Sequence, residues 1–166
     1  MELIHRPIDF IRDRDYVLEC HCRINYECDC PWARKVPYET YRAEWFAMSS
    51  QISSFYEYLE ETAKDPRCIA EIIENDAGDT VGYLWVPFNE DVESGFRFAD
   101  IQDVYVEPPF RRMGVADELL LYAERRAKES GAKVIRSGTG CENLSSIRLH
   151  EKRGFYQYRL EFEKLL

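Results

Sequence analysis

The spacing of apolar and polar residues predicts an alternation of strands and helices along the chain. Apolar positions recur with the helical period of about 3.6 residues over 12–27, 38–64, 114–130 and 142–152. Runs rich in β-branched and aromatic residues predict strands over 2–10, 68–73, 81–88, 98–106, 133–137 and 155–165. This order predicts an α/β domain whose mixed sheet is antiparallel in its N-terminal part and ends in a strand–helix–strand crossover.

The C-terminal residues 156–166 show the alternation of a terminal strand. Apolar side chains occupy every second position, and polar side chains lie between them. The apolar positions are Tyr156, Tyr158, Leu160 and Phe162. Because successive side chains of a strand point to opposite faces, we expect one face of this strand to be buried.

The composition is that of a single folded domain. The 166 residues are 45% hydrophobic, so the chain can build a core without disulfides or a structural metal. Its apolar runs are too short to span a bilayer, and Met1 is followed by Glu2 rather than by a signal-like segment. We therefore expect a cytoplasmic protein with no membrane partner.

Six cysteines in a chain without a secretory signal are expected to be reduced thiols. Four of them, Cys20, Cys22, Cys28 and Cys30, cluster around His21. Their spacing differs from the closely spaced cysteine pairs of structural zinc sites. We favour small side chains packed or exposed along an N-terminal helix and its following loop over a metal or redox site.

The net charge of −9 is unevenly distributed. Residues 1–106 carry 10 basic and 22 acidic side chains, a net charge of −12, whereas residues 107–154 carry 10 basic and 7 acidic ones, a net charge of +3. An acidic protein does not attract nucleic acid through its overall field, so no nucleic-acid partner is expected. The locally basic segment favours a confined anionic ligand, and the alternative is that the acidic surface serves solubility alone.

Residues 104–116 combine the features of an anion-binding turn. A strand pattern ends before two prolines, and a turn with Arg111 and Arg112 leads through Gly114 into a helix. The first turn of a helix has unpaired N–H groups and the positive end of the helix dipole, and a glycine lets a phosphate approach closely. This order of residue types predicts a phosphate site.

Residues 100–155 resemble the cofactor-binding part of the GCN5-related N-acetyltransferase (GNAT) superfamily. Arg111, Gly114 and Ala116 fill the defined positions of its acetyl-CoA motif, Q/R-x-x-G-x-G/A, and residues 143–155 resemble its second motif, N-x-x-A-x-x-L-Y-E-K-x-G-F. The resemblance implies one acyl-CoA N-acyltransferase domain over 1–166, with a GNAT-like, mostly antiparallel sheet flanked by helices on both faces. Residues 1–97 would form mainly the acceptor side, 98–155 the acetyl-CoA motifs and 156–166 the terminal strand.

The resemblance also implies which residues hold acetyl-CoA, the acyl donor. A strand backbone would pair with the pantetheine arm, the N–H groups of residues 112–116 would hold the pyrophosphate, and Asn143 would hydrogen-bond the arm. The implied set is Val104, Tyr105, Val106, Arg111, Arg112, Met113, Gly114, Val115, Ala116, Asn143 and Ser146. No metal is expected.

His150 stands where the family commonly has the tyrosine that protonates the leaving thiolate. Asn143 lies seven residues earlier, almost two helical turns, so both side chains should project from one helix face. Histidine donates protons readily near neutral pH, which suits a general acid. The alternative is a histidine on the helix surface.

Asp103 is the best candidate for the base that deprotonates the amine, because a carboxylate in a mostly apolar strand is costly unless it is paired or functional. The alternative is a solvated or salt-bridged side chain. Tyr105 lies on the same strand face and is a weaker catalytic candidate, its alternative being a core side chain. Cys141 is disfavoured as a nucleophile, because the resemblance implies direct transfer.

The sequence therefore predicts transfer of an acetyl group from acetyl-CoA to a primary amine by direct attack in a ternary complex. Glu90, Asp91 and Glu93 form an acidic loop on the expected acceptor side, which favours a small cationic amine as the acceptor. The alternatives are a non-catalytic acyl-CoA-binding or sensing module and a protein or peptide N-acetyltransferase. Either a monomer or a homodimer is expected.

Overall fold

The computed structural model describes residues 1–29 and 32–164, and the elements in them follow the predicted order as far as the last predicted helix, although some predicted elements are divided. A π-helical turn, Asn25–Asp29, extends the first helix. The strands and helices are β1 (Leu3–Pro7), α1 (Arg14–Ile24), α2 (Tyr38–Ala47), α3 (Ser49–Thr62), β2 (Ile69–Asn75), β3 (Thr80–Val86), β4 (Phe88–Glu90), β5 (Arg97–Ile101), β6 (Asp103–Val106), α4 (Val115–Glu129), β7 (Val134–Ser137) and α5 (Leu144–Lys152).

The strands form two sheets, of which only the second is mixed in direction. The first has the order β1-β2-β3-β6 and is antiparallel throughout. The second has the order β4-β5-β7, in which β4 pairs antiparallel with β5 and β5 pairs parallel with β7. Since α4 lies between β5 and β7 in the chain, the predicted crossover is confirmed, as is the mixed and mostly antiparallel sheet.

The strand predicted over 98–106 is interrupted at Gln102, and this interruption separates the two sheets. The Gln102 N–H still donates to the Trp85 carbonyl at 3.0 Å, so the chain stays beside β3. The parallel pairing of β5 with β7 ends at Ile101 and Ser137. Beyond that pair, no strand in the described part of the chain lies on the outer edge of β6. The main-chain groups of that edge are therefore open to a ligand.

Two hydrophobic cores lie on opposite faces of the sheets. The first packs α1, α2 and α3 against side chains such as Tyr83, Trp85 and Tyr105. The second packs α4 against side chains such as Leu84 and Ile73. Helices on both faces are thus confirmed, and the alternation of β6 places Asp103 and Tyr105 toward the first core.

The single helix predicted over 38–64 is wrong, because the structure has two helices that meet at Met48. Met48 leaves the helical region, with φ −85° and ψ 66°, and α3 begins at Ser49. Trp45 and Ile52 both remain buried in the first core across the break. The apolar pattern therefore continues through a point where the backbone turns, which is why the pattern conceals it.

The predicted terminal strand is not formed within residues 156–164, and residues 165–166 lie outside the described part of the chain. Its apolar side chains are not buried: Tyr156 is 80% exposed and Phe162 90% exposed. Alternation shows that a strand would have two unlike faces, but burial needs a second surface to cover one of them.

Candidate active site

A cavity of about 580 Å³ lies between the open edge of β6, the start of α4 and the start of α5. Most of the sequence-predicted acetyl-CoA residues line it together, although they come from two separate segments, 104–116 and 143–146. These lining residues are Val104, Tyr105, Val106, Arg111, Arg112, Gly114, Val115, Ala116, Asn143 and Ser146. Met113 is 61% exposed and is not among the lining residues.

Gly114 shapes the phosphate end of the cavity. It precedes α4 with φ 87°, a left-handed conformation that glycine adopts without strain. The first helical bond runs from the Glu118 N–H to the Gly114 carbonyl, so the earlier N–H groups of the turn are left for a ligand. A Cβ built on Gly114 would meet no atom within 4 Å, which shows open space on this side of the turn.

The charged groups around this turn are arranged to leave it net positive. Asp117, in the first turn of α4, is held by Arg153 at 2.5 Å and by Lys152 at 3.1 Å. These contacts lower the pKa of Asp117 and compensate its charge. Arg111 donates to the Val106 carbonyl at 2.8 Å and lies 3.2 Å from Glu27. An arriving phosphate would compete with Glu27 for that guanidinium.

Asn143 caps α5 and contacts the opposite wall of the cavity. Its Oδ1 accepts from the Ser146 N–H at 3.3 Å, while its Nδ2 donates to Thr139 Oγ1 at 3.0 Å and to Cys28 Sγ at 3.1 Å. The π-helical turn after α1 carries Cys28, so the amide joins the N-terminal part of the chain to α5. Asn143 and His150 share the cavity, as their spacing predicts.

His150 is bonded through both ring nitrogens. Nδ1 lies 2.8 Å from the Ser146 carbonyl oxygen, and Nε2 lies 2.8 Å from Ser137 Oγ. A carbonyl only accepts, so Nδ1 carries the proton and Nε2 accepts from the Ser137 hydroxyl. Ser137 also lines the cavity. Sequence reasoning missed Ser137, because nothing in a short strand marks a hydroxyl that faces a helix thirteen residues away.

Asp103 is buried, with a side-chain exposure of 2%, and its partner is His21 of α1. The His21 Nδ1 lies 2.9 Å from Oδ2 and 3.1 Å from Oδ1. The neighbouring Tyr83 hydroxyl is buried without a hydrogen bond to any described residue. Burial, and next the charge of Asp103, raise the pKa of Tyr83 well above its usual value, so this phenol stays neutral.

Tyr105 is 5% exposed and belongs to the first core, although it also lines the cavity. Burial raises the pKa of its hydroxyl to about 12, and the charge of Glu107 acts in the same direction. A phenol in that position holds its proton strongly at neutral pH. The structure thus favours the core alternative for Tyr105.

The cysteines show no arrangement for a metal. Within residues 1–29 and 32–164, no three histidine, cysteine or acidic side chains come together to hold an ion. Cys20 and Cys22 are buried in the first core, and burial raises the pKa of the Cys22 thiol to about 11. Cys30 lies outside the described residues. Cys141 is exposed.

The acidic loop after β4 is partly paired within itself. Glu90 lies 3.2 Å from Arg97, and Asp91 accepts from the Ser94 N–H at 2.8 Å. None of its three carboxylates lines the cavity.

Among the helices of the described residues, none combines the length and the apolar character that a membrane span requires.

The profile that describes the Acetyltransferase (GNAT) family matches residues 32–155. This match covers most of the chain, so the protein belongs to the GNAT acetyltransferase family, as its two motifs predicted. The first motif lies at the Gly114 turn and the second on α5. Residues of both motifs thus lie within the matched range and line the cavity.

Two curated relatives come from Salmonella typhimurium. Aminoalkylphosphonate N-acetyltransferase is 26% identical over 89 residues, which are 54% of this chain and 58% of that protein. L-Methionine sulfoximine/L-methionine sulfone acetyltransferase is 31% identical over 88 residues, 51% of this chain and 48% of that protein. The chain spans about half the length of the curated relatives it matches.

The solved structure of AAC(6′)-Iy in complex with the bisubstrate analog CoA-S-monomethyl-acetylneamine is similar over nearly the whole chain. The alignment covers 99% of this chain and 97% of that one, with a TM-score of 0.57 and 19% identity. At that level of identity the likeness shows the fold alone. It agrees with the order of strands and helices described above.

Proposed function

We propose that the protein transfers the acetyl group of acetyl-CoA to the primary amine of a small cationic molecule, by direct attack in a ternary complex. One observation carries this proposal: a single cavity joins an open strand edge, a glycine turn at a helix N-terminus and the His150–Ser137 pair. These supply, in order, partners for an extended amide-bearing arm, for a pyrophosphate and for a departing thiolate.

The donor half fits the groups of acetyl-CoA by their chemistry. The pantetheine arm carries amides, which suit the unpaired main-chain groups of β6. The pyrophosphate is anionic, which suits the N–H groups after Gly114 and the guanidinium of Arg112. The residues present thus fit the donor that the family uses.

The leaving group needs a proton as the C–S bond breaks. His150 holds the Ser137 hydroxyl through Nε2, so a protonated His150 can supply a proton either directly or through that hydroxyl. Both groups line the cavity. This pair supports a general acid at the position where the family commonly has tyrosine.

The acceptor is inferred from charge. Residues 1–106, which include the predicted acceptor side 1–97, carry a net charge of −12, and such a field concentrates a cationic amine at the protein surface. The two curated relatives are named for acceptors that carry an amino group. The carboxylates of Glu90, Asp91 and Glu93 lie outside the cavity. They would therefore attract a cationic amine over a distance rather than contact it in the cavity.

Binding of the donor is tested by thermal unfolding. Acetyl-CoA at 100 times its dissociation constant should stabilise the wild-type protein by about 2.7 kcal/mol, and Gly114→Glu should abolish the shift. The new carboxylate would enter the phosphate site with the wrong charge. Gly78→Glu is the matched control, because Gly78 also has a positive φ of 83° but does not line the cavity. An equal shift in Gly114→Glu would remove the phosphate role from this turn.

Turnover is tested with a panel of polyamines, aminoglycosides, amino acids and peptide N-termini, with CoA release followed by mass spectrometry. We expect release only with a cationic amine, and a Michaelis constant for that amine that rises with ionic strength. Neutralising Glu90, Asp91 and Glu93 together should raise it at low salt without changing acetyl-CoA binding. Tight donor binding with no turnover would instead establish an acyl-CoA-binding module, and a peptide as best substrate would establish a peptide acetyltransferase.

A further inference from the structure

His21 and Asp103 form a pair whose geometry is not explained by packing alone. They lie 82 residues apart in the chain, and α1 and β6 bring them to 2.9 Å. The His21 ring also stacks on Phe55 of α3, with centroids 3.7 Å apart and planes 16° apart. The stack on Phe55 therefore fixes the plane of the His21 ring, and the contact with Asp103 fixes the rotation of the ring within that plane.

Asp103 cannot itself reach a substrate. Its side chain is 2% exposed, and both oxygens lie within hydrogen-bond distance of the same His21 nitrogen. A carboxylate only accepts, so Nδ1 of His21 carries the proton and Nε2 keeps its lone pair. His21 Nε2, rather than the Asp103 carboxylate, is therefore the atom that can accept a proton from a substrate.

The Nε2 atom of His21 is available. It makes no hydrogen bond to a described residue. It is also not sealed from solvent, since the His21 side chain is 21% exposed. Around the ring, α3 and α2 present the uncharged Phe55 and Trp45, and β6 presents Asp103 as the charged neighbour. Within the described residues, no group around the ring hydrogen-bonds to Nε2.

The pair also lies on the correct side of β6. Asp103 points to the α1–α3 face, whereas its neighbours Gln102 and Val104 line the donor cavity. Ile24, one helical turn after His21, lines the same cavity. Tyr105, which shares a face of β6 with Asp103, lines the same cavity, so a donor at the edge of β6 can be approached from the His21 side. In direct transfer, the amine adds to one face of the planar thioester carbonyl, so its base must lie beside the reacting carbon.

On the basis of the proposed function, we infer that His21 is the general base of the transfer and that Asp103 is its positioning residue. His21 Nε2 takes one proton from the substrate ammonium, and the freed lone pair adds to the carbonyl carbon to form the C–N bond of a tetrahedral intermediate. The C–S bond then breaks, and the thiolate takes a proton from the Ser137–His150 side. The second proton that the nitrogen loses on becoming an amide passes to solvent, from which His150 recovers its own. The imidazolium, stabilised by Asp103, returns its proton to solvent through its exposed edge.

The test compares His21→Gln with wild type, using the best amine of the panel. Glutamine can keep a hydrogen bond to Asp103 but cannot take a proton. We expect the acetylation rate to fall about 100- to 10,000-fold near neutral pH, with acetyl-CoA affinity within about twofold. The deficit should shrink toward the pKa of the amine, about 10, because solution then supplies the neutral nucleophile. A merely structural role would leave the ratio of the two rates independent of pH.

His5→Gln is the matched control. His5 also pairs through Nδ1 with a carboxylate, Glu71 at 2.8 Å, and its exposure of 20% is nearly that of His21. Neither residue of that pair lines the donor cavity. We expect His5→Gln to keep wild-type rates at every pH, whatever it does to the melting temperature.

Asp103→Asn tests the positioning role. Its amide N–H₂ can donate to Nδ1 and move the histidine proton to Nε2, so the rate should fall with little change in acetyl-CoA affinity. A rate within about threefold of wild type in His21→Gln, or a pH-independent ratio, would overturn the assignment while leaving the acetyltransferase intact. A wild-type protein that binds acetyl-CoA but acetylates no amine would overturn the proposed function, and the catalytic role of His21 with it.

Discussion

Replacing Gly82 with alanine should separate β3 from the strand that carries the site. Gly82 is paired with Val106, and a Cβ built on it would lie 2.2 Å from the Tyr105 carbonyl oxygen. Ordinary contact begins near 3.4 Å, so the strands must move apart by about 1.2 Å at this point. The colliding atoms are backbone, and no side-chain rotation can relieve the contact.

The energetic cost follows from the short ladder between these strands. Only four residue pairs join β3 to β6, from Gly82–Val106 to Trp85–Asp103. A displacement of that size adds overpacking, typically 1–3 kcal/mol, to the weakening of one or two hydrogen bonds worth about 1 kcal/mol each. We therefore expect Gly82→Ala to lower the free energy of unfolding by about 2–4 kcal/mol.

Urea unfolding followed by fluorescence measures this loss, and calorimetric titration with acetyl-CoA measures its effect on the site. Affinity for acetyl-CoA should fall, because β6 supplies one wall of the donor cavity. Gly138→Ala is the control for stability, since a Cβ there meets nothing within 4 Å and the backbone is not left-handed. A loss below about 0.5 kcal/mol in Gly82→Ala, the usual range of a neutral surface change, would refute the argument.

Three further outcomes are expected. His150→Phe should lower the rate of acetyl transfer about 10- to 1000-fold, because an acid acts on charge that develops only in the transition state. Acetyl-CoA affinity, measured by titration calorimetry, should stay within about twofold of wild type. Activity equal to that of wild type would return His150 to a structural role. Thr62→Val should cost about 1–3 kcal/mol in urea unfolding, because the buried Trp85 indole N–H donates to Thr62 Oγ1 at 3.1 Å and would lose its partner. Burial alone would raise the pKa of Asp13, but hydrogen bonds led by that from Arg6 lower it from 3.8 to about 2. The stabilisation by ionised Asp13 is therefore complete above about pH 4 and lost toward pH 2. Asp13→Asn should lower the free energy of unfolding in urea by about 2 kcal/mol at neutral pH and by progressively less in acid. A difference that does not depend on pH would contradict this linkage.

The sequence allowed the order of elements and the donor site to be predicted, because both depend on short-range patterns. The Gly114 turn and its arginines are contiguous, and the spacing of Asn143 and His150 lies within one helix. Each of these can be read from neighbouring residues. The family profile and the cavity agree with that prediction.

The partners of the catalytic candidates could not be predicted, because they depend on how distant elements pack. The cost of burying a carboxylate singled out Asp103 but not its partner, which is set by the rotation of α1 over β6. The Ser137 hydroxyl meets His150 only because β7 ends beside α5. The bend at Met48 was hidden for the converse reason, since its flanking apolar residues stay in one core.

The sheets separate the buried side chains of the described residues into two cores, one on each face, that share no buried residue. Substitutions more than about 7–10 Å apart with no shared partners usually have additive effects on stability. The core under α4 lies beneath the Gly114 turn, and the core under α1–α3 surrounds His21, so substitutions deep in one core should add to those deep in the other, except near Tyr105 and Ile24, which belong to the first core and also line the cavity. Under the proposed function, such a fold could accommodate a different acceptor through changes in its N-terminal helices while the Gly114 turn and α5 stay as they are.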